Sequence, residues 1–233
     1  TIKKEFCKFF FKLIDTTAYT NFIPKIINRN SSTMNKNDYK VSNQYDYIFV
    51  HIPKTGGMTF NSIIAKINEN SKVKIYRGSH NPISILHKTS EKKYITVLRN
   101  PVDRVFSYYN LSLNDKKQPY HYLAKKNIFH FLKYCPEAQN IYCKFFSSDT
   151  EKDINNDLYE LAIKNLRNFD TIIKFDNFEK DVKKFIEKFN IGNIEIPHIN
   201  KSNNKRKISN EELKAIEFYN VYDIKLVNQF EIQ

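Results

Sequence analysis

Short apolar runs alternate with stretches of helical period along most of the chain. The runs near 46–51, 73–76, 93–98 and 171–175 are rich in β-branched and aromatic residues, the pattern of strands buried on both faces. Helical stretches follow near 58–69, 101–113, 153–168 and 177–189. In the first, Phe60, Ile63, Ile64 and Ile67 form one apolar stripe; in the last, Phe178, Val182, Phe185, Ile186 and Phe189 do, with the interspersed charges on a solvated face. The stretch from 101 opens on Asn100 as N-cap, Pro101 at the first helical position and Asp103 in the first turn. Its spacing predicts that Val102, Val105, Phe106 and Tyr109 are buried while Arg104 and Ser107 share the other face. Strand and helix in alternation predict an α/β fold: a P-loop-like parallel sheet flanked by helices on both faces, in three α/β/α layers.

Two regions depart from that alternation. Between the second and third helical stretches the pattern stays helical, including 129–134 and 136–146, which predicts a cap over the substrate cleft. Tyr120, His121, Tyr122 and Tyr134 in this region read as packing, with faces that also suit sugar stacking. At the other extreme, Phe6, Phe9, Phe10, Phe11, Leu13 and Ile14 are interrupted by Lys8 and Lys12, too short and too charged a segment to span a bilayer. Residues 1–20 suit contact with a membrane surface instead, and 28–44, rich in Asn, Ser and Lys, form a linker. The expected organisation is an N-terminal segment and linker over 1–44 and one domain over 45–233.

Composition narrows the choice of partner. A net charge of +13 and a pI near 9.4 call for an anionic ligand. No recognisable nucleic-acid-binding motif accompanies the charge, so nucleic acid is not expected. Cys7, Cys135 and Cys143 have no metal-ligand spacing and no disulfide framework, which favours reduced thiols, a cytoplasmic setting and no metal.

Candidate chemistry sits where strands end. Only four glycines occur, and two are adjacent in Pro53-Lys54-Thr55-Gly56-Gly57-Met58-Thr59, between the first strand and the first helix. Such a turn aims backbone N–H groups at an anion. A Walker A loop has its lysine after the last glycine; here Lys54 precedes them, which predicts a shorter loop with Lys54 at the strand end and the N–H groups of Gly56, Gly57, Met58 and Thr59 at the helix start. The third strand repeats the logic, ending in Arg99 ahead of a helix that carries Ser107, a guanidinium and a hydroxyl suited to a second phosphate.

These two motifs, Pro53-Lys54-Thr55-Gly56-Gly57 after an apolar strand and Leu98-Arg99-Asn100-Pro101-Val102-Asp103-Arg104 followed by Ser107-Tyr108-Tyr109, resemble the sulfotransferases that use 3′-phosphoadenosine 5′-phosphosulfate (PAPS). The similarity is to the carbohydrate branch that includes heparan sulfate 2-O-sulfotransferase and bacterial relatives, and it extends over roughly 45–230, taking in Pro197-His198-Ile199-Asn200-Lys201-Ser202. The resemblance implies that Lys54, Thr55, Gly56, Gly57, Met58 and Thr59 bind the 5′-phosphosulfate, that Arg99 and Ser107 bind the 3′-phosphate, and that a carbohydrate hydroxyl is the acceptor. Met58 stands where relatives often carry a hydroxyl residue, and Asn100 replaces a common aspartate without loss of capping.

A base is also required. Relatives carry a glycine-histidine pair between the two motifs, which maps onto His80 in Gly78-Ser79-His80 with one residue inserted. His51, beside the loop, is the rival, with a structural role as its plainer explanation. The basic run Lys201-Ser202-Asn203-Asn204-Lys205-Arg206-Lys207 precedes a helix announced by the capping-box spacing of Ser209 and Glu212. By resemblance, Lys205 and Arg206 close over the nucleotide, and eukaryotic members are Golgi-anchored. Two other classes compete on residues alone: a P-loop kinase, which needs Mg²⁺-binding acids that cannot be assigned here, and a polyanion- or RNA-binding protein without catalysis.

Overall fold

The computed structural model describes residues 44–78, 80, 92–150, 152–190, 195–196 and 206–231. The N-terminal segment, the linker, the 197–202 motif and Lys205 lie outside the described residues.

Among the described residues, four parallel strands form one sheet: β1 (Tyr47–Val50), β2 (Ile75–Tyr76), β3 (Lys93–Leu98) and β4 (Thr171–Lys174), in the order β2-β1-β3-β4. Tyr47 to Val50 of β1 align with Lys93 to Thr96 of β3, and Ile95 to Leu98 of β3 align with Thr171 to Lys174 of β4. Central β1 is buried at every position, as expected of a strand covered on both sides. Thr96, fully buried in β3, donates its hydroxyl to the Val50 carbonyl at 3.1 Å and so costs the core no unsatisfied polar group.

Side-chain alternation along the strands sorts the core into two halves. Tyr47 and Phe49 with Ile95 and Val97 face one side, against Phe60, Ile63, Ile64 and Ile67 of α1 (Gly57–Asn70) and Phe178, Val182, Phe185 and Ile186 of the helix Phe178–Glu187. Ile48 and Val50 with Tyr94 and Leu98 face the other, against residues of the helices Ile141–Ser147, Asn156–Arg167 and Val221–Glu231. Both apolar stripes foreseen in the sequence are therefore core, and the three-layer α/β/α arrangement holds. In chain order the remaining helices are α2 (Pro101–Asn114), α3 (His121–Lys126), α4 (Ile128–Tyr134), α5 (Ile141–Ser147), α6 (Asn156–Arg167), α7 (Phe178–Glu187), α8 (Asn210–Tyr219) and α9 (Val221–Glu231).

Local signals set the helix starts. The Asn100 side chain accepts from the backbone N–H groups of Val102 at 2.9 Å and Asp103 at 3.4 Å, with Pro101 following. Ser209 and Glu212 form the reciprocal capping box that starts α8. One expectation for α2 fails: Arg104 is fully buried, while Val102 and Phe106 are only half-buried. Helices α3, α8 and α9 pack on α2, so it has no open face at Arg104, whose Nη2 donates to the Glu137 carbonyl at 2.8 Å. Among the described residues no helix is long and apolar enough to cross a membrane.

Candidate active site at the strand ends

Strand order places the site. The chain leaves β1 for β2 on one side and β3 for β4 on the other, so the carboxyl ends of β1 and β3 flank a topological switch point, where open α/β sheets leave a crevice. Lys54 follows β1 and Arg99 follows β3. The segment after β2 brings His80 to the same end, and Phe175 follows β4.

The loop after β1 is held open at the helix start. Gly56 is the N-cap of α1, with φ 84°, ψ 11°, a left-handed conformation that suits glycine, and it offers no capping side chain. The first-turn N–H groups of α1 thus have no side-chain cap, and anions are stabilised at such a terminus. Thr55 turns inward, fully buried, and its hydroxyl donates to the Ile52 carbonyl at 2.9 Å; it braces the loop. Met58 is 85% exposed at the mouth, leaving its backbone accessible, and Thr59 is half-buried. Lys54 also takes a positive φ, 70°, which costs a side-chain-bearing residue roughly 1 kcal/mol.

Arg99 ties the two strand ends together. Its Nη1 donates to the Lys54 carbonyl at 3.2 Å, its guanidinium lies 4.4 Å from the centroid of the Phe175 ring, and its buried Nε has no hydrogen-bond partner. Burial first, and then the neighbouring Arg99 charge, hold the Lys54 ammonium below the ordinary lysine range. Burial likewise lowers Arg99, opposed by Asp103, Tyr142 and Asp176. Among the described residues neither cation forms a salt bridge. Two half-buried cations side by side repel, and an anion between them would relieve that repulsion.

Sequence reasoning missed two residues that hold this pair. Phe175 backs both Arg99 and Gly56: a side chain at Gly56 would come within 3.0 Å of the Phe175 ring. Tyr142 of α5 donates its hydroxyl to the Arg99 carbonyl at 2.8 Å and accepts from the Arg99 N–H at 3.2 Å. The position of Phe175 just after a strand, at the same sheet end as the other candidates, was the one available signal.

The histidines are neighbours. The rings of His51 and His80 lie 4.4 Å apart, centroid to centroid, and His51 stacks on Phe49 at 5.3 Å. Burial, then the charge of His80, lowers the pKa of His51 to about 4, against a carbonyl contact to Gly78 that raises it. A group that titrates there is a poor proton acceptor near neutrality. His80 is exposed at the surface; partial burial lowers its pKa and the Glu137 carboxylate opposes that.

The second motif is less converged. Ser107 is half-buried two turns into α2. Arg206 instead makes a bidentate pair with Glu212, at 2.9 and 2.8 Å, and its guanidinium lies 5.1 Å from the Phe106 centroid, next in sequence to Ser107. Cys135 and Cys143 are buried free thiols whose pKa values burial pushes up, and among the described residues no group of His, Cys, Asp and Glu could hold a metal.

No curated protein matches the sequence. A family model described as "Sulfotransferase family" matches residues 37–228, which includes all four strands and the loops at their ends. The chain belongs to the sulfotransferase family.

Proposed function

We propose that the protein transfers a sulfuryl group from PAPS to a hydroxyl of a carbohydrate acceptor. The observation that carries the donor assignment is the juxtaposition of Lys54 and Arg99 at the switch point, both half-buried and neither in a salt bridge among the described residues, beside an uncapped helix start. PAPS supplies an activated sulfur and, on transfer, a phosphate leaving group. Lys54 and the N–H groups of Gly57, Met58 and Thr59 would hold the 5′-phosphosulfate and stabilise the charge that builds on the departing oxygen. Arg99 and Ser107 would hold the 3′-phosphate, with Lys205 and Arg206 closing over the nucleotide. That role asks Arg206 to leave Glu212 or to reach around it. His80 would take the proton from the acceptor hydroxyl as its oxygen attacks sulfur, and Glu137 favours the imidazolium so formed. Tyr122, exposed on α3, and half-buried Tyr134 at the end of α4 offer ring faces for a sugar, which supports a carbohydrate acceptor, whereas Tyr108 and Tyr109 of α2 are core.

Calorimetry in EDTA against adenosine 3′,5′-bisphosphate, ADP and adenosine 5′-phosphosulfate tests the donor. Preference for the 3′-phosphorylated ligand by about tenfold or more, lost in Arg99→Ala, is the expected result. Equal binding of all three, or binding of ATP only with Mg²⁺, would overturn it.

The lowered pKa of Lys54 has a signed consequence. An anion restores the charged form, so the complex binds more protons than the free protein and binding takes up protons. Affinity for the bisphosphate should therefore fall as pH rises through the window between the depressed free pKa and the higher bound one. Titrations in buffers of different ionisation enthalpy read the uptake, and Lys54→Met should abolish the lysine's share of it.

A further inference from the structure

His51 belongs to neither phosphate-binding motif, yet it touches both halves of the site. A side-chain carbon built on Gly57 would fall 2.0 Å from His51 Nε2 and 2.1 Å from Cδ2, an impossible overlap. Gly57 has no positive φ, so conformational demand does not explain the glycine; the ring does. Gly78 meets the other side of the same residue: a carbon there would fall 1.8 Å from the Phe49 carbonyl oxygen and 3.1 Å from the His51 backbone nitrogen. Phe49 stacks on the His51 ring, and His80 lies against it at 4.4 Å. Three of the chain's four glycines therefore gather around this one buried imidazole and the loop beside it.

We propose that His51 is the positioning residue that fixes the proton acceptor His80 relative to the phosphosulfate loop, and that Gly57 is glycine to seat its ring. In-line transfer needs acceptor oxygen, sulfur and leaving oxygen in one line, and displacements of about 1 Å can cost on the order of 100-fold in rate. A single rigid ring between the helix start at Gly57 and the His80 imidazole sets that spacing. Neutrality suits the task, because His51 then adds no charge to oppose the imidazolium forming on His80; Glu137 is the carboxylate facing His80, and Lys54 and Arg99 are the cations of the neighbouring loop. The role in transfer rests on the proposed function, whereas the fit of ring to glycine does not.

The test is a double-mutant cycle with Gly57→Ala, His51→Ala and the two combined, followed by thermal unfolding and by calorimetry with adenosine 3′,5′-bisphosphate. Gly57→Ala should lower the midpoint and weaken the ligand by about tenfold or more, and the combined variant should lose clearly less than the sum of the single losses. Additive losses would overturn the seating of His51 by Gly57. His51→Asn should keep bisphosphate affinity within about threefold while lowering kcat for PAPS cleavage by about tenfold or more, with the KM for PAPS nearly unchanged. Wild-type kcat in His51→Asn, or a parallel loss of kcat and affinity, would overturn the positioning role. If the wild-type protein does not bind the bisphosphate, the donor assignment and the link to His80 fall together, and the unfolding cycle still decides the Gly57–His51 pairing.

Discussion

Lys54→Met should lower kcat for release of adenosine 3′,5′-bisphosphate from PAPS by roughly 10²–10³-fold, the cost of removing one preorganised donor from a developing oxyanion. The lysine sits on the loop between β1 and α1 in a left-handed conformation, and its carbonyl is held by Arg99, so its backbone position is fixed before any ligand arrives. Methionine keeps most of the side-chain length and removes the charge. The loss should fall on kcat more than on KM, because charge accumulates on the leaving oxygen as the bond to sulfur lengthens, and the interaction strengthens only then. Affinity for the product should drop as well, since in the proposed complex Arg99 and Lys54 would jointly face the anion. A variant that raised KM alone, with kcat intact, would mean that Lys54 binds ground state and transition state equally and that leaving-group stabilisation lies elsewhere.

The layout of this site was legible in sequence wherever it depends on strand ends. A buried strand running into Lys-Thr-Gly-Gly and another running into Arg-Asn-Pro fix where two cations emerge, and a parallel sheet puts both at one end. Helix starts were legible for the same local reason, since Asn100 and the Ser209–Glu212 box act on backbone groups two or three residues away. What failed depended on distant chain. Arg104 lies on the polar face of α2 by periodicity, but helices formed later in the sequence cover that face and bury the guanidinium. Tyr142 reaches Arg99 across 43 residues, and nothing in the run of the intervening residues announces it. Closer in sequence, Glu212, read only as the partner of Ser209 in the cap of α8, also pairs with Arg206. The expected strand at 73–76 shrinks to Ile75–Tyr76, the two residues that pair with Tyr47 and Ile48 of β1.

The same long-range dependence makes Asp223 the most consequential residue outside the strand ends. Helices α5 and α9 cap each other's N-termini: Asp223 accepts from the N–H groups of Tyr142 and Cys143, both at 2.9 Å, and Asn140 accepts from those of Tyr222 and Asp223, at 3.1 and 3.2 Å. Asn220 completes the joint, accepting from the Asn140 N–H at 3.0 Å and donating to the carbonyls of Ala138 and Ile216. Burial raises the pKa of Asp223, opposed by the donors from Cys143 and Tyr142 and by the charge of Arg104. Asp223→Ala would leave two buried N–H groups unmet and remove the negative charge facing Arg104, whose Nε and Nη1 already lack partners. Losing one member of such a buried set costs about 3–5 kcal/mol, or roughly 10 °C in Tm for a chain of this size. Asp223→Asn keeps the shape and one of the two acceptor oxygens, so one of the N–H groups of Tyr142 and Cys143 stays met and the loss should be smaller. Because Tyr142 sits in the turn that Asp223 caps and holds Arg99 by both backbone groups, Asp223→Asn should also weaken bisphosphate binding without touching the ligand. Thermal unfolding and calorimetry on the two variants check this; an Asp223→Ala loss below about 1 kcal/mol would show that the two helix starts are satisfied without each other.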